Sequence, residues 1–166
     1  MEAVAPEEYA AFIAQIQMRS IWMVRAKVDN HVGPDIPEHA RIRIVDRPTW
    51  EVVDGGFRAT SHYQIQVASD TDAIFATLEF SLAVDFSSDL PMTDAISLPF
   101  GEYNLPLNTW PYLREFIASS FGRMNWLSFT IPALKRGIGA SKSQSGSKRR
   151  PRTAPDPNPC EGDSER

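Results

Sequence analysis

The sequence of 166 residues is poor in the residues that build metal sites and disulfide frameworks. It holds one cysteine, Cys160, so no intrachain disulfide can form. Its three histidines are His31, His39 and His62, and their spacing places no two of them on one helix face. Because a zinc site needs about three or four clustered ligands, we expect surface histidines, no metal and no cofactor.

The chain also lacks the sequence marks of membrane insertion and of secretion. No apolar run approaches the roughly 18 residues that a membrane-spanning helix requires. Residues 1–8 are acidic and have neither the basic nor the apolar region of a signal peptide. Together with the single cysteine, these features predict a soluble cytoplasmic protein without a membrane span.

Motifs of common catalytic sites are missing as well. The sequence has no Gly-rich phosphate loop, no nucleophile elbow and no Walker lysine. The carboxylate pairs Asp70/Asp72 and Asp85/Asp89 lie at or near predicted turns, where aspartate is common. These absences predict a binding protein and not an enzyme. The alternative from another class is a small α+β enzyme or ligand-binding domain whose site would use His62 or Asp85.

The hydrophobic residues that the chain does have are concentrated in residues 1–136. All seventeen aromatic residues lie there, and this range carries a net charge of −6. Residues 137–166 hold four hydrophobic residues and a net charge of +2, with a basic cluster at 148–152. We therefore predict a folded domain over 1–136 and a disordered, basic, Pro-rich tail over 137–166. The acidic body argues against nucleic acid as the main partner, although the tail leaves salt-sensitive binding of nucleic acid open.

Hydrophobic periodicity predicts a short N-terminal helix followed by four strands. Helical spacing follows Pro6, a residue that suits the first turn of a helix. A period of two then runs through four segments, namely residues 16–28, 40–54, 57–67 and 74–86. The second segment is interrupted at residues 46–48. Since short turns join the later segments, we predict a four-stranded antiparallel β-meander with one buried face.

A long helix is predicted after the strands. Residues 87–110 contain several prolines and no clear period, which predicts a long crossover loop. Helical spacing returns at Pro111, with Asn108 and Thr109 as candidate N-caps. This helix would cover one face of the sheet, so the predicted fold class is α+β.

The start of the long helix resembles the SecB family of protein-export chaperones. Residues 110–117 read WPYLREFI, similar to the family's aromatic-Pro-Tyr-x-Arg-Glu start, and a Gly-Arg pair at 122–123 matches the helix end. Residues 101–104, GEYN, are similar to the Gly-x-Tyr that precedes this helix in the family. The resemblance covers roughly residues 14–134. It implies intersubunit or helix–sheet contacts for the motif residues Trp110, Pro111, Tyr112, Arg114, Glu115 and Arg123.

The resemblance implies a holdase that binds unfolded polypeptides without ATP and assembles as a homotetramer, a dimer of dimers. A chaperone with many clients needs adaptable apolar surface and backbone pairing in place of a shaped pocket. We expect this client groove to be lined by Trp22, Met23, Phe100, Tyr103, Trp126 and Phe129. For each of these residues, packing in the core or in a subunit interface is the competing interpretation.

Departures from the family bear on the partners. In export members, acidic residues on the first strand help to dock the SecA motor, whereas the matching residues 21–27 are apolar and basic here. The family's second helix would begin near Arg136, where the tail composition starts. The chain is similar to divergent SecB-like members that accompany toxin–antitoxin systems. Two clients therefore stay open: secretory precursors for protein transport and translocation, or an antitoxin.

Overall fold

The computed structural model describes residues 4–34, 40–126 and 131–134. In chain order the elements are α1 (Pro6–Gln15), β1 (Gln17–Asn30), β2 (Arg41–Asp46), β3 (Thr49–Val53), β4 (Gly56–Ala68), β5 (Ile74–Ser87), α2 (Asp94–Pro99), a π-helical turn (Phe100–Asn104) and α3 (Leu105–Arg123). No helix among these residues is long and apolar enough to cross a membrane. The predicted tail, residues 137–166, lies outside the described residues, so the division into two parts stays a prediction.

All five strands form one antiparallel sheet in the order β1-β5-β4-β2, and β3 also pairs with β4. β2 pairs with the second half of β4, from Arg41 opposite Ala68 to Asp46 opposite Tyr63. β3 pairs with the first half of β4. The interruption predicted at residues 46–48 is therefore a break between two short strands. Pro48 has no N–H for the ladder and is tolerated there.

The order of the strands adds one correction to the predicted meander. Strands β2 to β5 are joined as predicted, but β1 pairs with β5 along almost its whole length, from Gln17 opposite Ser87 to Asn30 opposite Ala76. The chain thus passes from one edge of the sheet to the other between β1 and β2. Alternating hydrophobicity identifies the strand segments and, in β4 and β5, the buried face, but it does not identify the neighbouring strand. The α+β class, the long helix and the short N-terminal helix are confirmed.

The predicted crossover loop is wrong, because much of it is helical. Thr93 caps α2 by accepting a hydrogen bond from the Ile96 N–H, and the chain then continues through the π-helical turn into α3. The predicted N-caps lie inside α3, where Asn108 and Thr109 donate to the carbonyl groups one turn earlier. Proline was the misleading signal. It suits the first turn of α3 at Pro106, and α3 also accommodates an exposed Pro111 in its interior.

The core lies on one side of the sheet, in two clusters. The first packs α3 on β4 and β5, with the rings of Phe80 and Phe116 stacked 4.3 Å apart. The second joins α1, β4, β5 and the π-helical turn through four phenylalanines whose ring centroids are 5.1–6.4 Å apart, namely Phe12, Phe57, Phe86 and Phe100. The opposite side, which we call the open face, has no helix over it among the described residues. Its β4 residues are the polar ones at even positions, as predicted.

A small polar cluster interrupts the core where β2 ends beneath α3. Ser61 donates a hydrogen bond of 3.1 Å to Oδ2 of Asp46, and its hydroxyl lies 3.5 Å from that of Thr109. The Asp46 Oδ1 atom is buried and meets no donor among the described residues. Burial raises the pKa of the Asp46 carboxyl, and the hydrogen bonds from Ser61 and the backbone oppose this only in part. Ionised Asp46 therefore costs stability in the folded state.

We expect Asp46→Asn to stabilise the protein at pH 7 but not at pH 3. Because the pKa of Asp46 is higher in the folded state than in the unfolded state, the unfolded protein releases this proton at a lower pH. The free energy of unfolding therefore falls as the pH rises through and above the usual aspartate range. The measurement is the urea midpoint of both proteins between pH 3 and pH 8. Asp89→Asn, at an exposed position, is the control and should give a small shift without this pattern. An Asp46→Asn variant that is less stable at pH 7 would contradict the assignment.

Candidate functional site

Strand β1 exposes a row of large apolar side chains at the edge of the sheet. Its hydrogen-bonding groups pair with β5 on one side, and no described strand pairs with the other side. The exposed fractions of these side chains range from 38% to 58%, and the residues, which we call the β1 surface, are Met18, Trp22, Met23, Val24 and Val28. A long, unpaired, apolar edge strand is a template for pairing with another chain.

Two irregularities place this apolar surface on both faces of β1. The pairing with β5 shifts register between Met18 and Ser20 and again between Met23 and Arg25. Each bulge adds one residue, which changes the face on which the following side chains emerge. This explains the sequence pattern, in which apolar residues near the middle of the strand occupy both odd and even positions.

Trp22 is held on the open face by a charged network. The Arg58 guanidinium lies 4.7 Å from the centroid of the Trp22 ring. Asp85 accepts two hydrogen bonds from Arg58, of 2.8 and 3.2 Å, and Glu51 accepts a third of 3.2 Å. A guanidinium that two carboxylates already hold in place can interact with the ring at little further entropic cost. The indole is therefore pre-positioned and half-exposed.

The residues of the alternative enzyme site have structural partners. Asp85 is bound to Arg58, and His62 lies within 3.1 Å of the hydroxyl groups of both Ser81 and Thr49. No group of three or more metal-ligating side chains occurs among the described residues. His62 and Asp85 thus each connect neighbouring strands across the open face. Their contacts with these structural partners give no support to a catalytic acid–base pair.

An apolar cleft opens on the other side of the sheet, between β3 and the helical segment α2–π turn. Its volume is about 100 Å³, and its lining, which we call the β3 cleft, consists of Pro48, Thr49, Trp50, Ala59, Met92, Ser97, Leu98, Phe100, Gly101 and Leu105. Pockets for drug-sized ligands measure roughly 300–1,000 Å³. A site of this size suits one apolar side chain of a longer ligand, since a cavity of about 150 Å³ holds a benzene molecule.

The floor of the β3 cleft depends on a close contact between Gly101 and Pro48. A Cβ atom on Gly101 would lie 2.9 Å from the Pro48 Cγ atom, a separation that side chains do not tolerate. The π-helical turn therefore packs directly on the break between β2 and β3. Sequence reasoning noted Gly101 as part of a motif and Pro48 as a strand interruption, but it missed their contact, because nothing local links residues so far apart in the chain.

The five predicted groove residues that the structure describes do not form one surface. Trp22 and Met23 belong to the β1 surface, and Tyr103 is exposed on the π-helical turn. Phe100 and Trp126 are only 2% and 4% exposed. These two are core residues, as the competing interpretation had it: Phe100 packs among the phenylalanines of α1 and the sheet, and Trp126 packs edge-to-face on Phe121. Phe129 lies outside the described residues.

Two residues of the helix motif hold the segment that follows α3. The Trp110 Nε1–H donates to the Pro132 carbonyl oxygen at 3.0 Å, and the Arg114 Nε–H donates to that of Ile131 at 2.9 Å. These bonds fix residues 131–134 beside the helix and bury Ile131 in the core. The other motif residues, Pro111, Tyr112, Glu115 and Arg123, are exposed.

We expect Trp110→Phe to loosen residues 131–134 while leaving the rest of the fold intact. The change removes the indole N–H and keeps an aromatic ring, so it should cost about 1 kcal/mol, the usual net value of a hydrogen bond. Amide hydrogen exchange should become faster in residues 131–134 and stay unchanged in β4 and β5. Tyr112→Phe, on an exposed position of the same helix, serves as the control. Equal exchange in both variants would show that this bond does not hold the segment.

Comparison with known proteins supports the same fold. No family model and no curated protein matches the sequence. A solved structure of the SecB-like chaperone Rv1957 from Mycobacterium tuberculosis, in complex with a ChAD peptide from the antitoxin HigA1, Rv1956, is similar with a TM-score of 0.68 and 19% identity. The match covers 78% of this chain and 99% of that one. At this identity the likeness establishes the fold alone, which is SecB-like.

Proposed function

We propose that this protein is an ATP-independent molecular chaperone, not an enzyme, that binds extended segments of unfolded polypeptides. The observation that carries the proposal is an unpaired strand edge beside an apolar cleft on a SecB-like fold. Client segments have no fixed shape, so a binding site for them uses backbone pairing for affinity and shallow apolar pockets for side chains. The β3 cleft and the edge of β3 supply these two elements.

The binding mode follows from the alternation of side chains along a strand. β3 pairs with β4 on one side and with no described strand on the other. A client segment added to that outer side would send every second side chain towards the helical layer. One of these side chains would enter the β3 cleft, where Trp50 and Leu98 are among the lining residues. A single shallow pocket accepts many different apolar side chains, as a holdase requires.

The client that the observations favour is an antitoxin. The neighbouring chaperone was solved with an antitoxin peptide. SecA docking in the resembled family uses acidic residues of the first strand, and the open face here offers few free acids near β1. Glu79 lies 2.7 Å from Arg25, and Asp85 is bound to Arg58. Secretory precursors handed to SecA are therefore the second candidate. The expected compartment for either client is the cytoplasm.

We expect Leu98→Ser to weaken client binding about tenfold or more. Burying a leucine side chain contributes roughly 1.5–3 kcal/mol, and 1.4 kcal/mol corresponds to a factor of ten in affinity. The measurement is the chaperone concentration that halves the aggregation of a client diluted from urea. Leu107→Ser is a matched control, because Leu107 is also 58% exposed but does not line the β3 cleft.

The possible outcomes test separately whether the protein is a chaperone and whether its clients bind at the β3 cleft. Failure of the wild-type protein to suppress aggregation near a stoichiometric ratio would refute the chaperone proposal. Equal losses in Leu98→Ser and Leu107→Ser would keep the activity but move the site away from the β3 cleft. Titration with an antitoxin peptide and, separately, with purified SecA distinguishes the two clients. Tight binding of SecA would favour the export role.

The β1 surface is better suited to self-association into a dimer of dimers. Its strand is 14 residues long, and a second copy would bury Met18, Met23 and Val24 together with the free backbone edge. Stable interfaces bury roughly 1,200–2,000 Å² in total, which a strand of this length with apolar flanks can provide. Trp22 and Met23 would then lie at the subunit interface and not in the client groove.

We expect native mass spectrometry to show a tetramer of the 18.6 kDa chain. Met23→Lys/Val24→Lys should dissociate the assembly at this edge, because charged side chains at an interface core are costly to bury. Val52→Lys replaces an even more exposed valine of β3 and should leave the tetramer intact. A wild-type monomer at micromolar concentration would exclude this arrangement.

A further inference from the structure

Strand β2 forms the edge of the sheet opposite β1, and its open face is lined by arginines. Arg41, Arg43 and Val45 occupy alternate positions of β2, so their side chains emerge on the same face. Arg47 follows directly after the strand and lines the same groove as Arg43 and Val45. The register agrees, since Arg43 pairs with Gln66 and Val45 with Gln64 on the polar face of β4. No described strand pairs with the outer side of β2.

Only one of these arginines is neutralised among the described residues. Arg41 lies 3.3 Å from an Asp70 oxygen and 3.0 Å from an Asp72 oxygen, and it also donates to the backbone carbonyls of Ser69 and Asp70. Arg43 and Arg47 have no carboxylate within ion-pair distance in the described part of the chain. A chain with a net charge of −4 thus carries a local positive surface at this edge.

Shallow grooves lie along β2 beside the side chains of Arg43 and Arg47. One of about 190 Å³ is lined by Arg43, Val45, Arg47, Gln64 and Gln66. A second of about 550 Å³ continues it along the same strands and shares Arg43 and Gln66 with the first. On the helical side of β2, the half-buried Ile42 and Ile44 pack against the core. The edge therefore offers cationic and amide groups on one face and apolar groups on the other.

We propose that β2 is a docking site for an acidic segment of a partner protein, which adds to the sheet as an extended strand. Arg43 and Arg47 are four residues apart, or roughly 13 Å along a strand. The segment would place two carboxylates four residues apart on the open face, opposite these arginines. Its intervening apolar side chains would lie beside Ile42 and Ile44. Backbone pairing provides affinity, and the two charges select an acidic sequence.

The observations favour a protein segment over a nucleic acid. Residues 1–136 carry a charge of −6, which repels a polyanion beyond the immediate patch. Neither groove is lined by an aromatic side chain on which a base would stack. The free N–H and C=O groups of an edge strand match a peptide backbone and have no counterpart in a phosphate chain.

The test uses two labelled nine-residue peptides, TVEVTVEVT and its glutamine counterpart TVQVTVQVT, and fluorescence anisotropy with the full chain. We expect the glutamate peptide to bind about fivefold to tenfold more tightly at low salt, the effect of two exposed ion pairs. The preference should shrink as salt rises. Arg43→Gln/Arg47→Gln should abolish the preference and leave suppression of client aggregation unchanged.

The matched control is Arg25→Gln/Lys27→Gln, which removes two positive charges from the other edge, where both side chains are already paired with acids. It should keep the preference for the glutamate peptide. Equal binding of both peptides to the wild-type protein would overturn the proposal, as would an equal loss in the control. A phosphate site would be identified instead if oligothymidylate binds the wild-type protein at least as tightly as the glutamate peptide and loses this binding in the Arg43→Gln/Arg47→Gln variant.

Discussion

The packing of Phe100 against the phenylalanines of α1 and the sheet determines where the other elements of this protein lie. Its ring meets Phe57, Phe86 and Phe12 edge-to-face, with centroids 5.3, 5.3 and 6.4 Å away. These contacts attach the π-helical turn to the sheet and give the N-terminal helix a surface to cover. They also position Gly101 against Pro48, so the β3 cleft depends on the same cluster. α3 then starts from a fixed point and covers the remaining half of the sheet.

Alternating hydrophobicity is enough to identify the strand segments and, along β4 and β5, the face that the helices cover. Along β4 the odd positions are buried and the even ones are polar, as period-two patterning requires. The neighbour of β1 could not be derived in this way, because pairing between distant strands depends on contacts that no local pattern encodes. The prolines of residues 87–110 led to a different error, because they predicted a loop where much of the chain is helical. Pro106 was among the prolines that predicted a loop, yet it lies in the first turn of α3, and Pro111 lies in the interior of the same helix.

The candidate site was harder to predict than the fold, since residue type does not determine exposure. Phe100 and Trp126 are as apolar as Trp22 and Met23, yet the first two are core residues and the others are exposed. What separates them is the element that covers them, namely a helical layer in one case and none in the other. Trp110 and Arg114 illustrate the converse. Their motif was recognisable, but their use in holding residues 131–134 required the path of the chain after α3.

The two bulges of β1 limit how this protein can assemble. A regular edge strand can be extended by one copy after another, which leads to open-ended sheet growth. Here each bulge interrupts the even spacing of the free N–H and C=O groups and increases the local twist. An added strand can therefore stay in register only over the stretches between the bulges. An irregular edge of this kind disfavours open-ended sheet growth, so the exposed apolar surface of β1 is compatible with the finite assembly proposed above.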